Sequence, residues 1–161
     1  MMRARSAVLT RYAGLDVLLT GVAVLVPALS HVTGVPLYRL NPMLALLLAG
    51  VLVSKDWRNG LLLAVLMPLV SCLVVGMPAA PKMVCMMAEL ATVATLFGWL
   101  SRRWSVLPAV LTAAVAAKAV YYGLKWLLVG GESLVGTAWW LQLGAVVVWC
   151  GVFAMLYKKG K

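Results

Sequence analysis

Six apolar runs, separated by gaps of only a few residues, occupy most of this chain. A helix needs about 20 apolar residues to cross the hydrocarbon layer of a bilayer, and most of the runs approach that length. The whole 161-residue chain is 65% hydrophobic, 11% charged and has a mean hydropathy of +1.03. Soluble domains carry roughly 25% charged residues, so a soluble fold of this size has no means of hiding so much apolar surface. Lipid removes the difficulty, because it solvates the outer face of a helix bundle. The pattern predicts an all-α integral membrane bundle of six transmembrane helices, forming a single domain over residues 1–161.

The runs place helices at about 14–32, 42–53, 60–75, 82–100, 106–128 and 137–157. The second is short for a span, so the segment before it is expected to dip into the bilayer region. Pro68 is expected to kink the third. The gaps contain breakers, such as Gly34 and Pro36, Asn59 and Gly60, Gly76 and Pro78, and Gly130 and Gly131. With six spans both ends lie on one side. That side gathers Arg3, Arg5, Arg11, Lys55, Arg58, Arg102, Arg103, Lys158, Lys159 and Lys161, against Arg39 and Lys82 opposite. The positive-inside bias therefore puts both termini in the cytoplasm, with the cytoplasmic (inner) membrane as the location. The net charge of +10 is explained by this topology rather than by a nucleic-acid partner.

Ionisable groups inside a membrane are costly and each is a functional candidate. Glu89 falls about 10 Å into the fourth helix and Lys118 about 15 Å into the fifth. They can meet either as a structural ion pair that closes the bundle or as a pair facing a ligand cavity. Lys125 shares a helix face with Lys118, and Tyr121 lies close to the same stripe. Arg39, Asn41 and Lys82 come from outer loop ends, and Gln142 lies near the start of the sixth helix. Together these residues outline a polar pocket open to the outside and lined by Trp126, Trp139 and Trp140; each Trp taken singly reads better as part of an interfacial aromatic belt. Asp16 reads best as an interfacial carboxylate near Arg11 or Arg102.

His31 reads as a loop residue rather than a ligand or base. Cys72, Cys85 and Cys150 lie in apolar runs and read as buried thiols. No Walker A, GxSxG or HExxH motif is present, so neither ATP hydrolysis nor covalent catalysis is expected of this chain, nor a bound cofactor or metal. The basic N-terminal stretch before residue 15 has the look of a signal peptide, but the apolar runs that follow favour a first helix that stays in the membrane. Small residues mark contact stripes. Gly14, Gly21 and Ala28 share one face of the first helix, Ala45 and Ala49 form a pair in the second, and Ala109, Ala113 and Ala117 a series in the fifth. Such stripes serve internal packing or, on a lipid-facing surface, partner docking.

Several segments resemble the substrate-binding S components of energy-coupling factor (ECF) vitamin transporters. They are Asn41-Pro42-Met43 leading to Ala49-Gly50, Leu66-Met67-Pro68-Leu69, Gly76-Met77-Pro78 with Pro81, Met87-Ala88-Glu89-Leu90, and Gly98-Trp99-Leu100-Ser101-Arg102. The resemblance is clearest over 36–103. It implies a subunit that binds a vitamin or related micronutrient from outside. It also implies docking on a membrane coupling protein whose two ATPase subunits use the ATP. The family's AxxxA docking pattern on the first helix is missing, with Gly14, Gly21 and Ala28 in its place. The ligand is expected in the outer half of the bundle, between the fourth, fifth and sixth helices and the segment before the second. The lysines there suggest a carboxylate-bearing solute, with Lys125 as its partner if Glu89 and Lys118 are paired. The competing reading is a small non-transporting membrane scaffold of the cell-shape type.

Overall fold

The computed structural model describes residues 12–34, 37–129 and 139–159, with the backbone alone for His31, Tyr38, Val129, Trp139, Lys158 and Lys159. The described residues form α-helices and one short 3-10 turn. The helices are α1 (Ala13–Thr33), α2 (Pro42–Ser54), α3 (Trp57–Val75), α4 (Ala80–Leu100), α5 (Val106–Val129) and α6 (Trp139–Lys159). The turn, Leu37–Leu40, precedes α2.

Local sequence sets the boundaries. Gly34 ends α1 and Gly76 ends α3, both at positive φ (69° and 72°), where a side chain would be strained. Pro42 opens α2 at its first turn, where the missing N–H costs nothing. The Asp56 carboxylate accepts from the Arg58 N–H and caps α3. This cap starts α3 three residues before the sequence expectation of residue 60, and it brings Trp57 into the bundle. His31, expected in a loop, belongs to the last turn of α1.

Five helices, α1 and α3–α6, are long and apolar enough to cross a membrane. At 19 to 24 residues they are roughly 28–36 Å long. α2, with 13 residues, reaches only about 20 Å. The exterior is apolar too. Val17, Leu18, Leu25, Val115, Val147, Val148 and Met155 are all exposed, which in water would drive association and in lipid is the expected state. The chain is a multi-pass membrane bundle.

α2 is the central helix. Leu44, Leu47, Leu48 and Val51 are buried, with α1, α3 and α6 packed around it. Its two ends fix its depth. At its N-terminal end the Trp149 Nε1–H donates to the Leu40 carbonyl at 2.7 Å, and Asn41 Nδ2 lies 3.5 Å from Glu89 Oε1. Trp149 and Glu89 are near the midpoints of α6 and α4, so α2 begins halfway through the bundle. At its other end, Lys55 Nζ sits 4.1 Å from the centre of the Tyr157 ring, close to the end of α6. The segment before α2 therefore does dip into the bundle, and α2 fills one half of it.

That half ends in a basic surface. Lys55, Arg58, Arg102 and Arg103 are exposed there. Gly98 lets α3 and α4 close in, since a Cβ at that position would fall 2.5 Å from Trp57 Cγ. Phe97, Phe153 and Tyr157 form an aromatic cluster beside it, with edge-on contacts of 5.2 and 5.8 Å between ring centroids. The small-residue stripes separate cleanly. Ala109, Ala113 and Ala117 are fully buried and serve internal packing. Gly14, Gly21 and Ala28 face outward, with open space around both glycines. Cys85 and Cys150 are buried, as expected; Cys72 is half-buried.

Candidate functional site

A 13-residue helix among partners of 19 or more leaves the bundle unfilled above its N-terminus. A cavity of about 700 Å³ occupies this place. Its floor is Asn41, Pro42 and Met43. α1 supplies one wall through Ala23, Val26, Pro27 and Ser30, and Ser71 of α3 supplies another. Met77, Pro78 and Ala79, with Lys82 and Met86 of α4, close the remaining side. Such a volume suits a small organic solute, as does a lining of apolar walls with a few placed polar groups.

Each polar group has a defined state. The Ser30 hydroxyl donates to the Val26 carbonyl at 3.0 Å and the Ser71 hydroxyl to the Met77 carbonyl at 2.7 Å. Both oxygens keep lone pairs with which to accept from a ligand. Lys82 is exposed at the rim and is the lysine among the lining residues. Asn41 adopts a left-handed conformation (φ 51°, ψ 55°), which Asn tolerates better than most residues. Its side chain makes no cap bond to α2 and turns instead towards Glu89. The three methionines, Met43, Met77 and Met86, give the walls adaptable, polarisable surface.

Beside the floor lies the ion pair considered from the sequence. Lys118 Nζ stands 2.7 Å from Glu89 Oε1, with side chains 13% and 7% exposed. The two groups pair with each other. Lys118 Nζ also lies 5.3 Å from the Tyr121 ring centroid, and Tyr121 meets Tyr122 edge-on at 5.3 Å. The Tyr122 hydroxyl donates to Gln142 Oε1 at 2.9 Å and ties α5 to α6.

The residues singled out from the sequence thus divide. Asn41 and Lys82 line the cavity. Glu89, Lys118 and Tyr121 form a buried cluster next to it, joined to its floor through Asn41. Gln142 belongs to the α5–α6 contact. Arg39 is exposed on the 3-10 turn, and Lys125 is half-buried on α5; neither is among the cavity-lining residues. Trp126 and Trp140 are exposed, in keeping with an aromatic belt, while the Trp139 side chain lies outside the described residues. The cavity lies in the half of the bundle away from Lys55 and Arg58, and α1, α2, α3 and α4 enclose it with Asn41 of the segment before α2; the expectation was α4, α5, α6 and that same segment.

Asp16, read from the sequence as an interfacial carboxylate near Arg11 or Arg102, lies in the interior of the bundle. It is 3% exposed, and Asn59 Nδ2 donates to its Oδ1 at 2.9 Å. Sequence reasoning also missed Ser30, Ser71, Met43, Met77 and Met86, for which the signal was the deficit in length of α2. Among the described residues no three His, Cys, Asp or Glu side chains converge as a metal site. No protein-family model, curated protein or solved structure matches the chain.

Proposed function

We propose that this chain is a solute-binding membrane subunit of the S-component type, which captures a vitamin or related micronutrient for an ECF-type importer. The observation that carries this reading is the 700 Å³ cavity above the short α2, with Lys82 at its rim and Asn41 on its floor. The sidedness of the lysines and arginines favours cytoplasmic termini in the inner membrane, and the cavity then opens outward. The chain itself binds rather than catalyses, and ATP is used by the two partner ATPase subunits. The outward-facing Gly14, Gly21 and Ala28 leave a smooth face on α1 for the coupling protein. The solute is a largely apolar molecule with an anionic group such as a carboxylate, because methionine and proline walls surround Lys82, the lysine among the described lining residues. A membrane scaffold of the cell-shape type would gain nothing from such a cavity.

Mass spectrometry of small molecules that co-purify with the chain identifies the solute. Lys82→Met is then expected to weaken its binding by about 1–2 kcal/mol, the lower range for a hydrogen bond to a charged group, because Lys82 is open to water. Unchanged affinity in that variant would remove the anionic group from the proposal. Absence of any bound or bindable small molecule would remove the proposal itself.

A further inference from the structure

At the basic end of the bundle, opposite the cavity, two buried oxygens on α1 have no hydrogen-bond partner among the described residues. They are Asp16 Oδ2 and Thr20 Oγ1, on residues 3% and 7% exposed. Four residues apart on a helix, they lie on one face, one turn above the other. That face is the buried one, shared with Leu19 and Ala23. Asn59 of α3 holds the other carboxylate oxygen at 2.9 Å and so fixes the direction of Oδ2. Buried polar atoms almost always find partners, and a buried carboxylate with only one donor carries most of its desolvation cost.

We propose that Asp16 and Thr20 form a binding site for a small monovalent cation of the sodium type, held between Asp16 Oδ2 and Thr20 Oγ1. Both groups are hard oxygen donors, the set that selects alkali and alkaline-earth ions over transition metals. One carboxylate balances one positive charge; a divalent ion would leave a net charge buried in low dielectric. Exposed Arg58 and Arg102 at this end are screened by solvent and salt. A cation bound here neutralises the carboxylate that Asn59 of α3 already holds, and so removes the cost of burying it where α1 meets α3.

Thermal unfolding of the purified full chain, with sodium chloride replacing choline chloride at constant ionic strength and no solute added, tests this directly. Sodium at saturation is expected to raise the melting temperature by about 5 °C, the effect of a ligand present at many times its dissociation constant. Asp16→Asn should abolish the rise. Thr20→Val should shift the half-effective sodium concentration at least about tenfold, and Thr20→Ser, which keeps the hydroxyl, should restore it. The proposal is overturned if the wild-type chain melts at the same temperature in both salts. It is equally overturned if Thr20→Val responds like the wild type, which keeps the test decisive should Asp16→Asn fail to fold. Because no solute is present, failure here leaves the cavity reading untouched.

Discussion

Breaking the Glu89–Lys118 pair tests how this bundle tolerates charge. At 2.7 Å and an effective dielectric of about 20, the Coulomb attraction is about 6 kcal/mol. Desolvation of the two groups offsets much of it, so the intact pair contributes little net stability. Removal of one partner is different, since the other is left charged and buried, at a cost of about 3–5 kcal/mol. The two single variants should also differ. In Glu89→Gln the stranded group is Lys118, whose side chain is 13% exposed and whose long stem can carry the ammonium towards water or headgroups. In Lys118→Met the stranded group is Glu89, 7% exposed, on a short stem with Asn41 as a distant donor. Lys118→Met is therefore the worse of the two. The double variant Glu89→Gln with Lys118→Met leaves no buried charge and should be more stable than either single one. Equilibrium unfolding in mixed micelles, followed by tryptophan fluorescence, gives all four free energies. Costs below about 1 kcal/mol for both single variants, or a double variant whose cost equals their sum, would show that the pair is solvated and that the argument from burial is wrong.

Gly98→Ala should destabilise the bundle by about 1–3 kcal/mol, read in the same unfolding assay, because the new methyl group meets Cβ and ring atoms of Trp57 within 3 Å. Gly21→Leu and Ala28→Leu should leave both the melting temperature and solute binding unchanged, since both positions face outward, yet uptake in cells carrying the coupling module should be lost; normal uptake with both substitutions would remove α1 as the docking face.

The sequence made some of this architecture legible. Six runs, their order and the brevity of the second follow from hydropathy and from breakers such as Gly34 and Gly76. Glu89 and Lys118 were readable as partners because α4 and α5 are consecutive and antiparallel, and both groups lie deep in their helices. Asp16 was misread for a physical reason. A carboxylate in the first turn of a helix normally reaches water, whereas here the packing of α1 on α3 buries it and Asn59 donates to it. Trp149 carries no signal in the sequence, because nothing in an apolar run marks a tryptophan whose N–H donates to the Leu40 carbonyl of a distant segment.

The wall of the cavity was the least legible feature, because it depends on which helices are neighbours without being consecutive. α1 packs against α3, and α2 against α6; no periodicity in the chain encodes either pairing. Once they are fixed, the rest follows. Placing α2 at the centre puts its N-terminus in the middle of the bundle, and the space above it must be bounded by whichever helices surround it. On the side of α5 and α6, Lys118 pairs with Glu89 beside the Tyr121 ring, and Trp149 donates to the backbone before α2. The Lys118 ammonium and the Trp149 N–H are thus committed to partners at the level of the floor. On the side of α1, α3 and α4, Ala23, Pro27 and Ser30 are too small to fill the gap, and Ser71 is turned to the Met77 carbonyl. The cavity therefore opens where side chains are short. Of the polar residues expected around the ligand, Asn41 and Lys82 line the cavity, while Glu89, Lys118 and Tyr121 secure the other side of the bundle.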